Sequence, residues 1–258
     1  MDKLTNYGRL CAEVYDVTKP VGENYPDVPY HIQNLHGIDG RVLEAGVGTG
    51  RLIIPLLQAG FVVDGIDSSA AMLDVCRHNC ETLGLNPTLY HGKLETMALP
   101  ERYQAIIISY GSFMLLESKE GAAAALQSFH SHLLPGGRLF LDVDKPMLPY
   151  DSSAAIVRRN EPIQCPDGSS IMTEWTAYQY SDPHLTVGYG RYERFRDGIL
   201  VETELQRMPI RRYEREEMEL LLKENGFADL IVNLNYTFGL EADDEPGCLC
   251  FAATRAGA

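Results

Sequence analysis

Positive charge is scarce in this chain. Its 22 Lys and Arg stand against 36 Asp and Glu, for a formal net charge of −14. A field of that sign repels phosphate backbones and anionic lipid, so neither nucleic acid nor a membrane surface is the expected partner. Long apolar runs are missing as well: no stretch approaches the roughly 18 residues that a spanning helix needs. The first residues, MDKLTNYGRLCAEVYD, lack the basic start and apolar run of a signal peptide. A cytoplasmic location is therefore expected. The 6 cysteines, Cys11, Cys76, Cys80, Cys165, Cys248 and Cys250, form no CxxC pair, so reduced thiols are expected rather than a disulfide framework. Cys76 and Cys80 share a helix face, but no further ligands lie beside them, and no metal site is expected.

From Arg41 to Val143, apolar runs alternate with amphipathic segments, the pattern of βα units in a parallel sheet. The spacing predicts strands over Arg41–Ala45, Val62–Asp67, 88–91, 105–109 and 138–143. Helices are expected over 50–59, 69–81 and 121–134, with Ser68 and Ser118 as N-caps, because a serine oxygen can accept from the free amides of a first turn. After Val143 the rhythm breaks at Pro146, Pro149, Pro162 and Pro166. Alternating runs then predict antiparallel strands, with Asp197-Gly198 as a hairpin turn. A helix over 214–225, ended by Gly226, and strands over 227–235 and 248–253 follow, the two strands separated by the acidic loop 241–245. These elements suggest a core of residues 1–145 and 213–258 and a lid or substrate region of residues 146–212. Between Asp151 and Arg215 the 9 basic residues are all arginine against 10 acidic ones, so this segment carries little of the net charge. The arginines fit either ion pairs across a solvated sheet or an inward-facing site for an acidic acceptor; Arg194 and Arg211 are the candidates for the second reading.

The first strand runs into Gly46-Val47-Gly48-Thr49-Gly50, where a following helix aims its amides back at the strand end. Glycine lets a ligand reach the backbone. Gly65-Ile66-Asp67 closes the next strand and brings a carboxylate beside the loop, able to accept from ribose hydroxyls. Dinucleotide folds favour GxGxxG, whereas this run is Glu44-x-Gly46-x-Gly48-x-Gly50. A carboxylate at Glu44 is unwelcome near a pyrophosphate but suits a cofactor bearing an ammonium and a sulfonium.

Through VLEAGVGTGRL, GIDSSAAML and HLLPGGRLFLDV, residues 41–143 resemble the class I S-adenosylmethionine-dependent methyltransferases, and the resemblance returns in RRYEREEMELLLKENGF. It implies an α/β fold: a doubly wound seven-stranded sheet whose last strand is antiparallel, here with an antiparallel β lid inserted after the fifth strand. It also implies that Gly46, Gly48 and Gly50 approach the methionine and ribose portion of S-adenosylmethionine. Glu44 would support the amino-acid end, Asp67 would hold the ribose, and Ser68 and Met72 would lie near the adenine. One departure stands out: where the family often has Gly-Asp to accept from the adenine amino group, this chain reads Gly92-Lys93-Leu94-Glu95, and lysine offers no acceptor. The amide of Leu94 or the side chain of Glu95 is then left to hold adenine.

Ser109, Tyr110 and Phe113 follow the fourth strand, where they border the transferred methyl or simply pack. Tyr7 and Tyr15 fall in an expected N-terminal helix, where Tyr15 resembles a tyrosine of small-molecule methyltransferases that covers the cofactor. His91, His130, His132 and His184 are bases by type only, and no catalytic residue is assigned. Trp175, Tyr178, Tyr189 and Tyr192 are candidate walls of an acceptor pocket. The expected activity is methyl transfer to nitrogen or oxygen of a small polar metabolite by a monomer or homodimer. A NAD-dependent oxidoreductase and a non-catalytic cofactor-binding protein are the alternatives.

Overall fold

The computed structural model describes residues 7–145, 156–179, 182, 184–240 and 247–257. Five parallel strands, β1 (Arg41–Ala45), β2 (Val62–Asp67), β3 (Leu89–His91), β4 (Tyr103–Ile108) and β5 (Leu133–Asp144), form most of the main sheet. Five further strands, β6 (Ile156–Arg159), β7 (Ile163–Gln164), β8 (Ser170–Gln179), β9 (Leu185–Arg196) and β10 (Ile199–Arg211), make a separate antiparallel sheet. The chain then returns to the main sheet with β11 (Phe227–Leu234) and β12 (Cys248–Arg255). The order is β11-β12-β5-β4-β1-β2-β3, and β12 runs antiparallel to both of its neighbours. This is the seven-stranded arrangement, with its inserted β sheet, that the sequence implies.

Helices α1 (Arg9–Thr18), α2 (Asp27–Leu35), α3 (Ile53–Gln58), α4 (Ala70–Thr82), α5 (Lys119–His132) and α6 (Arg215–Glu224) surround the sheets. Both faces of the main sheet are covered, which is why its strands read as unbroken apolar runs. The strand period of two still sorts the side chains. Leu43, Ile106 and Ile108 pack toward Phe129 and Leu126 of α5, whereas Val42, Ala105 and Ile107 pack toward Ile53 and Ile54 of α3 and Leu73 of α4.

Several boundaries differ from the sequence expectation. The helix expected over 50–59 starts only at Ile53, because the glycine loop continues through its first turn. The cap of α4 is Ser69 rather than Ser68; its Oγ accepts from Met72 N–H at 3.1 Å. Ser118 does cap α5, accepting from Gly121 N–H at 3.0 Å. Asp197 and Gly198, with φ of 52° and 76°, make the tight turn between β9 and β10. Tyr7 stands before α1 rather than within it, at φ 53°. Helix α2 was not anticipated. Pro146, Pro149 and the acidic loop 241–245 lie outside the described residues.

Helix α1 bridges the two sheets. Its first turn has no side-chain cap of its own. Instead the Glu204 carboxylate of β10 accepts from Leu10 N–H at 2.9 Å and Cys11 N–H at 3.1 Å, a cap supplied from the other sheet. Leu10 and Cys11 then pack on Ile171 and Tyr192, and Asp16 accepts from Asn79 of α4 at 2.8 Å. Among the described residues no helix is long and apolar enough to cross a membrane.

Candidate active site

The carboxyl ends of β1, β2 and β4 open onto a cavity of about 230 Å³. Its walls include Gly46, Gly48, Asp67, Ser68, Met72 and Leu94 from the predicted set, together with Tyr7 and Tyr15 from the N-terminal segment. Lys93 and Glu95 line it too, so the departure from the family pattern faces the cavity itself. The second, antiparallel sheet contributes Met208 and Pro209 of β10.

The loop after β1 is tied down by its own backbone: the amides of Gly46 and Val47 both donate to Ile66 O, at 2.8 and 3.0 Å. Gly48 sits at φ 56°, and a Cβ built there meets nothing within 4 Å, so its bare backbone borders open space. Gly50 differs from expectation. At φ 95° its added Cβ would come within 3.1 Å of Cys76 Sγ, and it is absent from the cavity walls, so helix packing explains this glycine. The Asp67 carboxylate accepts from Gly48 N–H at 2.9 Å and Ser69 N–H at 2.8 Å. Burial raises its pKa above the ordinary carboxylate value while these amides oppose the shift.

A smaller cavity of about 30 Å³ adjoins the first and shares Tyr15, Gly46, Gly48 and Ser112 with it. Glu44 and Arg51 line it. Glu44 is buried, its Oε2 has no hydrogen-bond partner, and burial holds its pKa well above the usual range. An orphaned carboxylate oxygen beside the glycine loop fits the ammonium of a bound S-adenosylmethionine, and Asp67 with the open Gly48 fits its ribose.

Sequence reasoning missed the group behind this cavity. Arg51, immediately after the loop, donates to both oxygens of the buried Asp27 carboxylate at 2.8 and 2.5 Å. Asp27 also accepts from Ser109 Oγ at 3.2 Å, and Ser109 Oγ lies 3.0 Å from His31 Nε2. Ser109 is thus held in a polar network while lining the smaller cavity. Burial pushes the His31 pKa down to about 4. A start signal was present, since Pro26-Asp27 opens α2 with a proline and an acid.

Tyr110 and Gly111 form a left-handed turn, φ 59° and 75°, at the end of β4. Asp142 of β5 holds it, accepting from their amides at 2.9 and 2.7 Å. Burial pushes Asp142 up to about 6, above the ordinary 3.8, so the folded protein keeps this proton more tightly than the unfolded chain. That stabilisation is full below about pH 4 and is lost as pH rises through about 6. Asp142→Asn is expected to remove a fall on the order of 3 kcal/mol from the stability curve over this window. Chemical denaturation between pH 4 and 7 reads it; an unchanged slope would mean that Asp142 ionises normally.

Other candidates take structural places. Phe113 is buried against Tyr213, ring centroids 5.8 Å apart. His132 Nε2 accepts from Leu99 N–H at 3.0 Å, His130 packs on Phe227, His184 meets Arg212 O at 3.3 Å, and His91 meets Ser68 O at 3.0 Å. Trp175 and Tyr192 pack on each other, and Tyr192 belongs to the cluster under α1 rather than to the cavity walls. Tyr189 is also absent from those walls, and the Tyr178 side chain lies outside the described residues. Of the two readings of the arginines, ion pairing is the one the structure shows. Arg194 is paired with Glu13 and, at 3.4 Å, with Asp167; Arg211 bonds Asp182 at 2.7 Å and Glu117 O at 2.8 Å; Arg207 takes both oxygens of Glu117. These pairs hold the antiparallel sheet to α1 and to the segment before α5.

Residues 42–137 match the family described as a methyltransferase domain. A cypemycin N-terminal methyltransferase from Streptomyces sp is 27% identical over 141 residues, covering 54% of this chain and 57% of that protein. A dTDP-3-amino-3,6-dideoxy-alpha-D-glucopyranose N,N-dimethyltransferase from Streptomyces fradiae is 28% identical over 139 residues, 51% of this chain and 52% of that one. The chain therefore spans about half the length of these curated relatives. In fold it is similar to a S-adenosylmethionine-dependent methyltransferase from Clostridium acetobutylicum ATCC 824, with a TM-score of 0.78 at 17% identity over 95% of this chain and 98% of that one. With the glycine loop, Asp67 and the strand order in place, residues 42–137 match a methyltransferase domain, and the chain has the fold of a solved S-adenosylmethionine-dependent methyltransferase.

Proposed function

We propose that this protein transfers a methyl group from S-adenosylmethionine to a nitrogen or oxygen of a small polar metabolite, with nitrogen ahead of oxygen. The observation that carries the reading is the buried Glu44 carboxylate, left with an unpartnered oxygen at the mouth of a glycine loop whose other side is Asp67. A buried acceptor without a donor costs roughly 1 to 3 kcal/mol, which a ligand ammonium would recover. When bound, the cofactor supplies an electrophilic methyl on a sulfonium. The chain's own part is to hold and to exclude water: the Gly48 backbone approaches the ligand, Asp67 accepts from its hydroxyls, and Leu115, Leu116, Met208 and Pro209 give apolar walls. An in-line displacement needs chiefly this positioning. No base is assigned, since an amine that arrives neutral needs none.

Nitrogen leads because one of the curated relatives above is named an N,N-dimethyltransferase. In this reading residues 1–145 and 213–258 bind the cofactor while 146–212 face the acceptor. The protein works in the cytoplasm, as a monomer or homodimer, without nucleic acid or membrane. Nothing observed favours the oxidoreductase or the non-catalytic alternative. Calorimetry is expected to show near-stoichiometric binding of S-adenosylhomocysteine and no heat with NAD. No heat at millimolar S-adenosylhomocysteine would falsify the proposal. A panel of small amines and phenols, scored by release of S-adenosylhomocysteine, separates nitrogen from oxygen as the acceptor.

A further inference from the structure

The two cavities meet at Tyr15, Gly46, Gly48 and Ser112, which line both. With the cofactor's ammonium at Glu44 in the smaller cavity and its ribose at Asp67 in the larger, the sulfur that joins those halves belongs at this junction. Only Tyr15 and Ser112 bring side chains to it. The other polar side chains of the larger cavity are placed elsewhere: Asp67, Ser68, Lys93 and Glu95 stand at or just beyond the ends of β2 and β3, and the Tyr7 hydroxyl donates to Met208 Sδ at 3.7 Å. Ser112 is held in place by its surroundings. Asp142 clamps the Tyr110-Gly111 turn that precedes it. Gly46 leaves room for it, since a Cβ there would come within 3.1 Å of Ser112 Cβ and 3.2 Å of its Oγ. The Ser112 hydroxyl itself donates to Ser109 O at 2.9 Å.

A hydroxyl has one hydrogen and two lone pairs. With that hydrogen on Ser109 O, Ser112 Oγ can only accept from whatever stands at the junction. We propose that Ser112 Oγ faces the transferred methyl and accepts an N–H of the incoming amine, turning the nitrogen lone pair toward the carbon, so that the substrate class is primary and secondary amines. This rests on the methyltransferase reading above. The nitrogen lone pair forms the new N–C bond as the C–S bond breaks, the sulfur keeps the bonding pair, and the product ammonium gives its surplus proton to water. Ser112 takes no proton; its part is alignment. A tertiary amine or a phenolate has no hydrogen on its attacking atom and gains nothing from this contact.

The test needs no known acceptor. Sinefungin carries C–NH3+ where the cofactor carries S+–CH3, so it brings N–H donors to the junction, and S-adenosylhomocysteine brings none there. Calorimetry on the full chain is expected to show sinefungin binding the wild type at least tenfold more tightly than S-adenosylhomocysteine does. Ser112→Ala should bring the two ligands within threefold of each other while S-adenosylhomocysteine affinity stays within twofold of the wild type. Ser112→Cys keeps the shape but is a weak acceptor, and should do the same. For any amine of the panel that is methylated, Ser112→Ala should lower kcat at least tenfold and leave the KM for S-adenosylmethionine within twofold. Equal binding of the two ligands by the wild type, or a preference that survives in Ser112→Ala, would overturn the proposal. A tenfold loss of S-adenosylhomocysteine affinity in that variant would also overturn it, by making Ser112 a support of the glycine loop. So would a preference lost in Tyr15→Phe and kept in Ser112→Ala, which assigns the contact to the tyrosine. Failure of the wild type to bind either ligand would instead sink the methyltransferase reading.

Discussion

Asp27→Ala is expected to destabilise the protein by about 3 to 5 kcal/mol, the cost of removing one partner from a buried ion pair. The Asp27 carboxylate is fully buried and takes two nitrogens of Arg51, itself only 6% exposed. Without it the Arg51 guanidinium keeps the rings of Tyr25 and Tyr110, at 4.6 and 4.3 Å. Those contacts are worth about 0.5 to 2 kcal/mol each, less than the several kcal/mol of desolvation that a buried cation carries. Ser109 and His31 lose their anchor in the same step. For a chain of this size the melting temperature should fall on the order of 10 °C. Equilibrium denaturation in urea gives the free energy. The double variant Asp27→Ala with Arg51→Met should recover a good part of the loss, because the stranded charge is gone. A single-variant cost below about 1 kcal/mol would show that water reaches Arg51 and that the pair is not the keystone of this corner.

The main sheet was legible in the sequence because β1, β2 and β4 are short, apolar and followed by turn residues, whereas the start of β5 fell in the helix expected over 121–134. The glycine loop was legible because it joins an apolar strand to a helix and is followed, at the end of the next apolar strand, by Asp67. The parts that stayed hidden depend on contacts distant in the chain. Glu204 caps α1 across nearly two hundred residues, so α1 shows no serine or aspartate at its start for a sequence reader to find. The Asp27 and Arg51 pair joins two segments that each look unremarkable: one an acid after a proline, the other an arginine after a glycine. The two readings of the arginines could be separated only in three dimensions: their alternation along β9 and β10 is visible, but the carboxylates on Arg194 and Arg207 include Glu13 of α1 and Glu117, far away in the chain.

Asp67→Ala should weaken S-adenosylhomocysteine binding by roughly 10- to 150-fold, corresponding to about 1.5 to 3 kcal/mol for hydrogen bonds to a charged group. The carboxylate stands at the end of β2 with two roles. It orders the glycine loop by accepting from Gly48 N–H, and it presents the remaining lone pairs of its oxygens to the cavity. Alanine removes both at once, leaving the Gly48 amide without its partner. Asp67→Asn separates them, because its one carbonyl oxygen can keep an amide while its NH₂ turns a donor toward hydroxyls that need an acceptor. Asparagine should therefore retain stability better than alanine and still lose most of the affinity. The pH dependence adds a check. Burial raises the Asp67 pKa above the ordinary carboxylate value, and hydroxyl donors favour the ionised form, so wild-type affinity should fall as pH drops through that raised pKa. Glu44, raised more strongly by its own burial, acts in the same direction. Asp67→Asn should lose its share of the dependence and keep that of Glu44, whereas Glu44→Gln should do the reverse. Calorimetric titrations of the three proteins across the acidic range distinguish these shares, and affinity that survives Asp67→Ala within twofold would place the ribose away from β2.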